Sequence, residues 1–138
     1  MRNEVLPLLK AYADCLAPMP IPVYQVSVDS GELGDHIVIR VETENDLSNK
    51  QTFVTNPIII VDIVTKHVGA IDASVVEGYD DLLRGLIWPT RRTTGLEPWE
   101  GTQIAQVRFD GANYLDGFDG TRYEHRKITR LYNRLNQQ

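Results

Sequence analysis

Ile58-Ile59-Ile60-Val61-Asp62-Ile63-Val64 is apolar on both alternating faces except at Asp62, and the expected architecture grows from that segment. A strand with one wet face alternates with period two, whereas one covered on both faces reads as a nearly continuous apolar run. This run therefore predicts the central strand of a sheet. It lies within Gln51 to Val68, rich in β-branched residues and broken by Asn56-Pro57. Proline cannot donate to a ladder, so the break predicts two strands, or an edge or bulge.

Working upstream, Glu44 to Lys50 is polar and predicts a loop. Val23 to Asp29 and His36 to Glu42 read as strands, the second with Ile37, Ile39 and Val41 alternating with Val38, Arg40 and Glu42. Between them the glycines of Ser30-Gly31-Glu32-Leu33-Gly34-Asp35 predict the turn of a β-hairpin. Pro18, Pro20 and Pro22 forbid helix and predict an extended connector. Residues 3 to 16 place Val5, Leu8, Leu9, Tyr12, Cys15 and Leu16 at helical spacing, with Asn3 as N-cap and Pro7 in the first turns. Cys15 on that stripe is expected to be a small buried thiol rather than a nucleophile.

Downstream, a helix is predicted from Asp72 as N-cap to Trp88, stopped by Pro89. Its apolar arc holds Val75, Val76, Tyr79, Leu82, Leu83, Leu86 and Ile87, with Glu77, Asp81 and Arg84 opposite. Gly78 and Gly85 fall at a border of the arc, each costing about 1 kcal/mol relative to alanine, which close approach to a strand or a neighbouring subunit would offset. Residues 89 to 103, with little periodicity, predict a long loop. Strands follow from about Gln103 to Phe109 and from Thr121 to Leu131 or beyond, around turn signals at Asp110-Gly111, Asp116-Gly117 and Asp119-Gly120. Residues 122 to 130 are polar on both alternating faces, which predicts an edge or a contact surface. Together these elements predict one α+β domain over residues 1–138. It is a single small mixed, mainly antiparallel sheet packed by an N-terminal helix and a central helix at about 72–88.

Composition narrows the class. A chain of 138 residues can bury about two-thirds of its unfolded surface, and 42% hydrophobic with 24% charged content excludes a disordered chain. The longest strongly apolar run falls far short of the roughly 20 residues that cross a bilayer. Glu4, Pro7, Lys10 and Asp14 interrupt any secretory signal, so a cytoplasmic protein is expected. The lone Cys15 can neither close an intrachain disulfide nor pair with a second cysteine on zinc.

Charge is segregated along the chain. Residues 122 to 138 carry Arg122, Arg126, Lys127, Arg130 and Arg134 against Glu124 alone. Subtracting that local +4 from the whole-chain −5 leaves −9 on the first 121 residues. An acidic body with a basic end fits a surface that meets another copy. Trp88, Arg91, Arg92 and Trp99 in and beside the long loop are residue types enriched at interface hot spots, and the same tryptophans also suit covering the core. The overall pI of 5.1 argues against a nucleic-acid module, for which values above about 9 are usual.

Chemistry finds little support. His36, His67 and His125 lack metal-ligand spacing, and share a site only if the fold brings them together. Asp116-Gly117-Phe118-Asp119-Gly120 with Glu124 resembles a calcium loop in composition but not in acidic spacing, so turns are expected. Asp62 with Lys66 suits a metal-dependent nuclease poorly, since Val64 stands where a further carboxylate is needed. There is neither a Gly-rich phosphate loop nor a G-x-S-x-G elbow. Two other classes stay open: a ligand-binding protein or hydrolase with a pocket beside helix 72–88 using His67, Asp62 and Tyr79, and a nucleic-acid accessory protein using the terminal arginines.

The element order is N-terminal helix, Pro-rich connector, β-hairpin, apolar strand ending in Asp62-Ile63-Val64-Thr65, helix 72 to 88, long loop and two final strands. Over roughly residues 1 to 135 this resembles the tail-terminator or tail-completion (head–tail joining) proteins of tailed bacteriophages. The resemblance implies a small α/β subunit in a homo-oligomeric ring, commonly of six copies, with no cofactor, metal or catalytic residue. It implies tail-tube and connector proteins as partners, a place in the virion after assembly in the host cytoplasm, and DNA passing through the ring without sequence-specific contact. Arg122, Arg126, Lys127, Arg130, Arg134, Trp88, Arg91, Arg92 and Trp99 are the expected interface.

Overall fold

The structure, a computed structural model, describes residues 5–25, 34–42, 54–55, 57–90, 94–98, 102–118 and 120–137. At its centre β4 (Ile58–His67) runs antiparallel to β2 (His36–Val41) on one flank and to β6 (Tyr123–Gln137) on the other. Ile63 thus stands between Ile37 and Lys127, and Ile59 between Val41 and Leu131. The apolar run at 58–64 is the inner strand its composition predicts. β1 (Val23–Tyr24) adds to β2, β5 (Thr102–Phe118) lies along the far flank of β6, and β3 (Val54–Thr55) pairs with β6 beyond the start of β4. Asn56-Pro57 separates β3 from β4 as expected, and the Pro57 carbonyl accepts from the Asn133 backbone N–H at 3.1 Å. The fold class is α+β: one mixed, mostly antiparallel sheet with two helices packed on it.

Three expectations are corrected. β1 and β2 run parallel, with Val23 opposite Ile37, so they do not form a hairpin; a tight turn joins only antiparallel strands, and residues 26–33, which hold most of the expected turn, lie outside the described residues. β6 is not an edge, because β4 and β5 hydrogen-bond to its two flanks. Its polar residues misled the reading because they are buried with partners drawn from distant elements. β5 also continues through two of the three turn signals. Asp110 and Gly111 together oppose one residue of β6, a bulge in which Gly111 takes φ 122°, and Asp116-Gly117 stays in register with His125 and Glu124. Of the third signal, Asp119 lies outside the described residues, while Gly120, at φ 94°, precedes β6.

Both helices cover the same face of the sheet. α1 (Val5–Cys15) and the residues after it bring Leu8, Leu9, Tyr12 and Leu16 onto Ile37, Ile39, Ile59, Val61 and Leu131. Complete burial of one such aliphatic side chain contributes about 1.5–3 kcal/mol. Tyr12 donates its hydroxyl to Asn133 Oδ1, and burial pushes that hydroxyl above the ordinary tyrosine range, partly opposed by the same bond. α2 (Ala73–Ile87) starts where Asp72 accepts from the Ser74 N–H at 3.0 Å, and Trp88 caps its end by donating to the Arg84 carbonyl at 2.8 Å. Gly95 donates to the Ile87 carbonyl, and a Cβ there would stand 2.0 Å from the Leu86 oxygen. Cys15, half-buried, donates to that oxygen at 3.3 Å, and burial pushes its thiol up.

α2 is rotated from its predicted setting. Its buried stripe is Val76, Asp80, Leu83 and Ile87, whereas Leu82 is 53% exposed. At 100° per residue Gly78 and Gly85 then fall near the middle of the outward side, where an added Cβ would meet nothing within 4 Å. Among the described residues nothing approaches either glycine closely enough to offset its helix cost.

Candidate interaction surface

The strand alternation sorts β6 into two sets of side chains. His125, Lys127, Thr129, Leu131 and Asn133 face the helices; Glu124, Arg126, Ile128, Arg130, Tyr132 and Arg134 face the other way. The two sets do different work.

Beneath α2, Lys127 is 5% exposed and reaches Asp80, 2% exposed, at 2.9 Å and Glu77 at 3.1 Å. Burial alone would lower the lysine's affinity for a proton, but these carboxylates outweigh it and hold the ammonium above its ordinary range. Asp80 also accepts from Arg84 at 2.8 Å, and the Arg84 guanidinium lies over the Phe109 ring of β5. Hydrogen bonds from Tyr114 and then Lys127 hold Glu77 below the usual carboxylate range. Next to this network the Asp72 N–H donates to His67 Nδ1, His67 Nε2 donates to Thr65 Oγ1 at 2.8 Å, and Thr65 donates to the His125 carbonyl at 2.8 Å. His125 donates from Nδ1 to Asp116 and stacks on Tyr114. The cluster thereby ties α2 to β4, β5 and β6.

The opposite face carries a second set of ion pairs. Asp62, 1% exposed, accepts from Arg126 through both oxygens and has Arg40 at 3.5 Å. Arg130 meets Glu42 at 2.6 Å, Lys66 meets Glu124 at 3.3 Å, and the Arg108 guanidinium lies over the Tyr132 ring. Arg134 is exposed on the same side. Six cationic side chains, Arg40, Lys66, Arg108, Arg126, Arg130 and Arg134, thus share the face with Glu42, Asp62 and Glu124, a net +3 within a chain of −5. Half-buried Ile58, Ile60, Ile128 and Tyr132 lie among them. Among the described residues, no helix packs here.

The residues expected at an interface are dispersed by this arrangement. Arg126, Arg130 and Arg134 share the basic face; Lys127 is buried on the other; Arg122 is half-buried ahead of β6. Trp88, half-buried, donates from its indole to the Val107 carbonyl at 3.1 Å and joins α2 to β5. Arg91, Arg92 and Trp99 lie outside the described residues. Sequence reasoning missed Arg40 and Arg108, which only strand pairing places beside the terminal arginines. It also missed Asp80, whose position in step with Val76, Leu83 and Ile87 was the available signal.

The pocket proposed for a ligand or hydrolytic reaction is not assembled from its three residues. Asp62 and His67 lie on opposite faces of β4, and Tyr79 donates to Asp35 at 3.0 Å. His67 and His125 do meet, with ring centroids 6.5 Å apart, but His36 faces Tyr24 and Gly34 instead. Among the described residues no group of three or more His, Cys, Asp or Glu side chains is arranged to hold a metal ion.

No family model matches the chain, and no curated protein matches it. A chain in the solved structure of the virion of a native gene transfer agent (GTA) particle does match in fold, with a TM-score of 0.60 and 13% identity. The match covers 91% of this chain and 84% of that one, so the two share a fold over nearly their whole lengths.

Proposed function

We propose that this chain is a structural protein of a tailed-phage-like virion. Six copies form a ring that terminates the tail tube and joins it to the head-side connector. The observation that carries the reading is the near full-length likeness in fold to a component of a GTA virion. The order of elements along the sequence, which apart from the hairpin still resembles that of tail-completion proteins, supports the finer role, as do the described side chains that hold the fold together. The protein works without a cofactor or catalytic residue, in the virion after assembly in the host cytoplasm. Its partners are further copies of itself and the tube and connector proteins, with DNA passing through the ring without sequence-specific contact.

Negative-stain imaging with native mass measurement of the purified full chain tests this. Closed rings of uniform size are expected. A particle that stays a single copy at high concentration, alone and with tube protein, refutes it.

A further inference from the structure

The basic end read along the sequence becomes, in three dimensions, part of a basic sheet face. The face turned away from the helices gathers Arg40, Arg108, Arg126, Arg130 and Arg134. With Lys66 and the carboxylates Glu42, Asp62 and Glu124 included, that face is +3, which leaves −8 on the rest of the chain. The outer side of α2 is the reverse in character. Ser74, Gly78, Asp81, Leu82 and Gly85 form one exposed stripe opposite the buried Val76, Asp80, Leu83 and Ile87, and the helix's one cation, Arg84, is turned inward onto Asp80. That stripe bears one carboxylate, Asp81, and no cation, carries an exposed leucine and is flattened by two glycines whose Cβ positions are open space.

We infer that the arginine-bearing sheet face of one copy receives the outer side of α2 of the next, making the head-to-tail contact of the ring. The inference rests on the ring reading above and names the surfaces it uses. Arginine among half-buried isoleucines and tyrosine is the composition of a protein interface core. Duplex DNA would gain from the guanidinium groups but nothing from Ile58, Ile60 and Ile128, and would meet repulsion from the −8 carried elsewhere. The glycines let a flat partner surface approach the helix backbone, which explains residues that weaken α2 without a neighbour among the described residues. Because the two surfaces lie on opposite sides of a two-layer subunit, the contact is heterologous, as a closing ring requires.

Light scattering and mass photometry of the full chain, with thermal unfolding recorded in parallel, test the assignment. Gly78→Gln fills open space on α2 with a better helix former, so it should leave folding intact or raise the melting temperature while reducing the oligomer to single copies. Arg108→Glu and Asp81→Arg should each weaken assembly by about tenfold or more, and added salt should weaken the wild type. If the wild type assembles and all three variants assemble equally well, the surfaces are wrongly assigned while the ring reading stands. If the wild type never assembles, both fall. A monomeric wild type that binds duplex DNA with steep salt dependence, lost in Arg108→Glu, gives the face to nucleic acid and overturns the inference.

Discussion

Substituting leucine for Asp80 should cost the fold about 3–5 kcal/mol, because it leaves the Lys127 ammonium buried and short of its main partner. Lys127 is 5% exposed, its contact with Asp80 is 2.9 Å long, and its other carboxylate, Glu77, has a side chain 44% exposed and is shared with Tyr114. Domains of this size are stable by only about 5–15 kcal/mol, so the loss is a large fraction of the whole. In thermal terms it is a fall of roughly 10–20 °C. The reverse removal, Lys127→Met, should cost less, about 1–3 kcal/mol, since Asp80 keeps Arg84 at 2.8 Å. Replacing both partners, Asp80→Leu with Lys127→Met, should return stability close to the wild type, as buried ion pairs exchanged for apolar residues of similar size often do. Urea unfolding followed by far-UV circular dichroism at one fixed protein concentration measures all three, the fixed concentration keeping self-association constant. An Asp80→Leu loss below about 1 kcal/mol, or a double variant as unstable as the two losses summed, refutes the argument that this pair holds α2 to the sheet.

Gly95→Ala places a Cβ 2.0 Å from the Leu86 backbone oxygen, which cannot rotate away, and should lower the urea midpoint by the equivalent of about 1–3 kcal/mol; an unchanged midpoint would show that this loop gives freely. Asn133→Leu strips the Tyr12 hydroxyl and the Pro57 carbonyl of a partner and should cost about 1–3 kcal/mol, part of which Tyr12→Phe restores in the double variant, as a double-mutant cycle would read out. The Glu77 carboxyl is held below its ordinary 4.5 by hydrogen bonds from Tyr114 and Lys127, so its stabilising effect is complete above that value and is lost as pH falls through the lower folded one. Glu77→Gln should therefore flatten the acid limb of a stability–pH profile and leave its slope near neutrality unchanged; a slope identical to wild type below pH 4.5 contradicts the assignment.

Much of the frame was legible because local chemistry and tertiary need agree there. The run at 58–64, the Asp72 cap, the stop at Pro89 and the break at Asn56-Pro57 all stand where composition put them. What failed to read were places where a polar residue takes a core position. Lys127 looks like a surface residue until Asp80 and Glu77, 47 and 50 residues earlier in the chain, are brought beneath it. His125 and Thr129 similarly disguise an inner strand as an outer one. The parallel pairing of Val23–Tyr24 with Ile37–Val38 was beyond reach, since a glycine-rich stretch of sequence carries no statement about which strand comes alongside. Only half of the basic surface was visible, because Arg40 and Arg108 join the terminal arginines through register, not through proximity in sequence.

The position of β6 bears on how the protein is made. During synthesis β2, β4 and both helices emerge well before residues 123–137, yet among the described residues β5 and β3 pair with no other strand. A nascent chain can gather part of its core around β4, but it carries naked ladders until that late segment slots between the strands already released. Completing the sheet thus requires one long-range insertion, a kind of step that is slow and leaves apolar surface exposed meanwhile. A ribosome that stalls before residue 123 releases a product with the middle of its sheet missing.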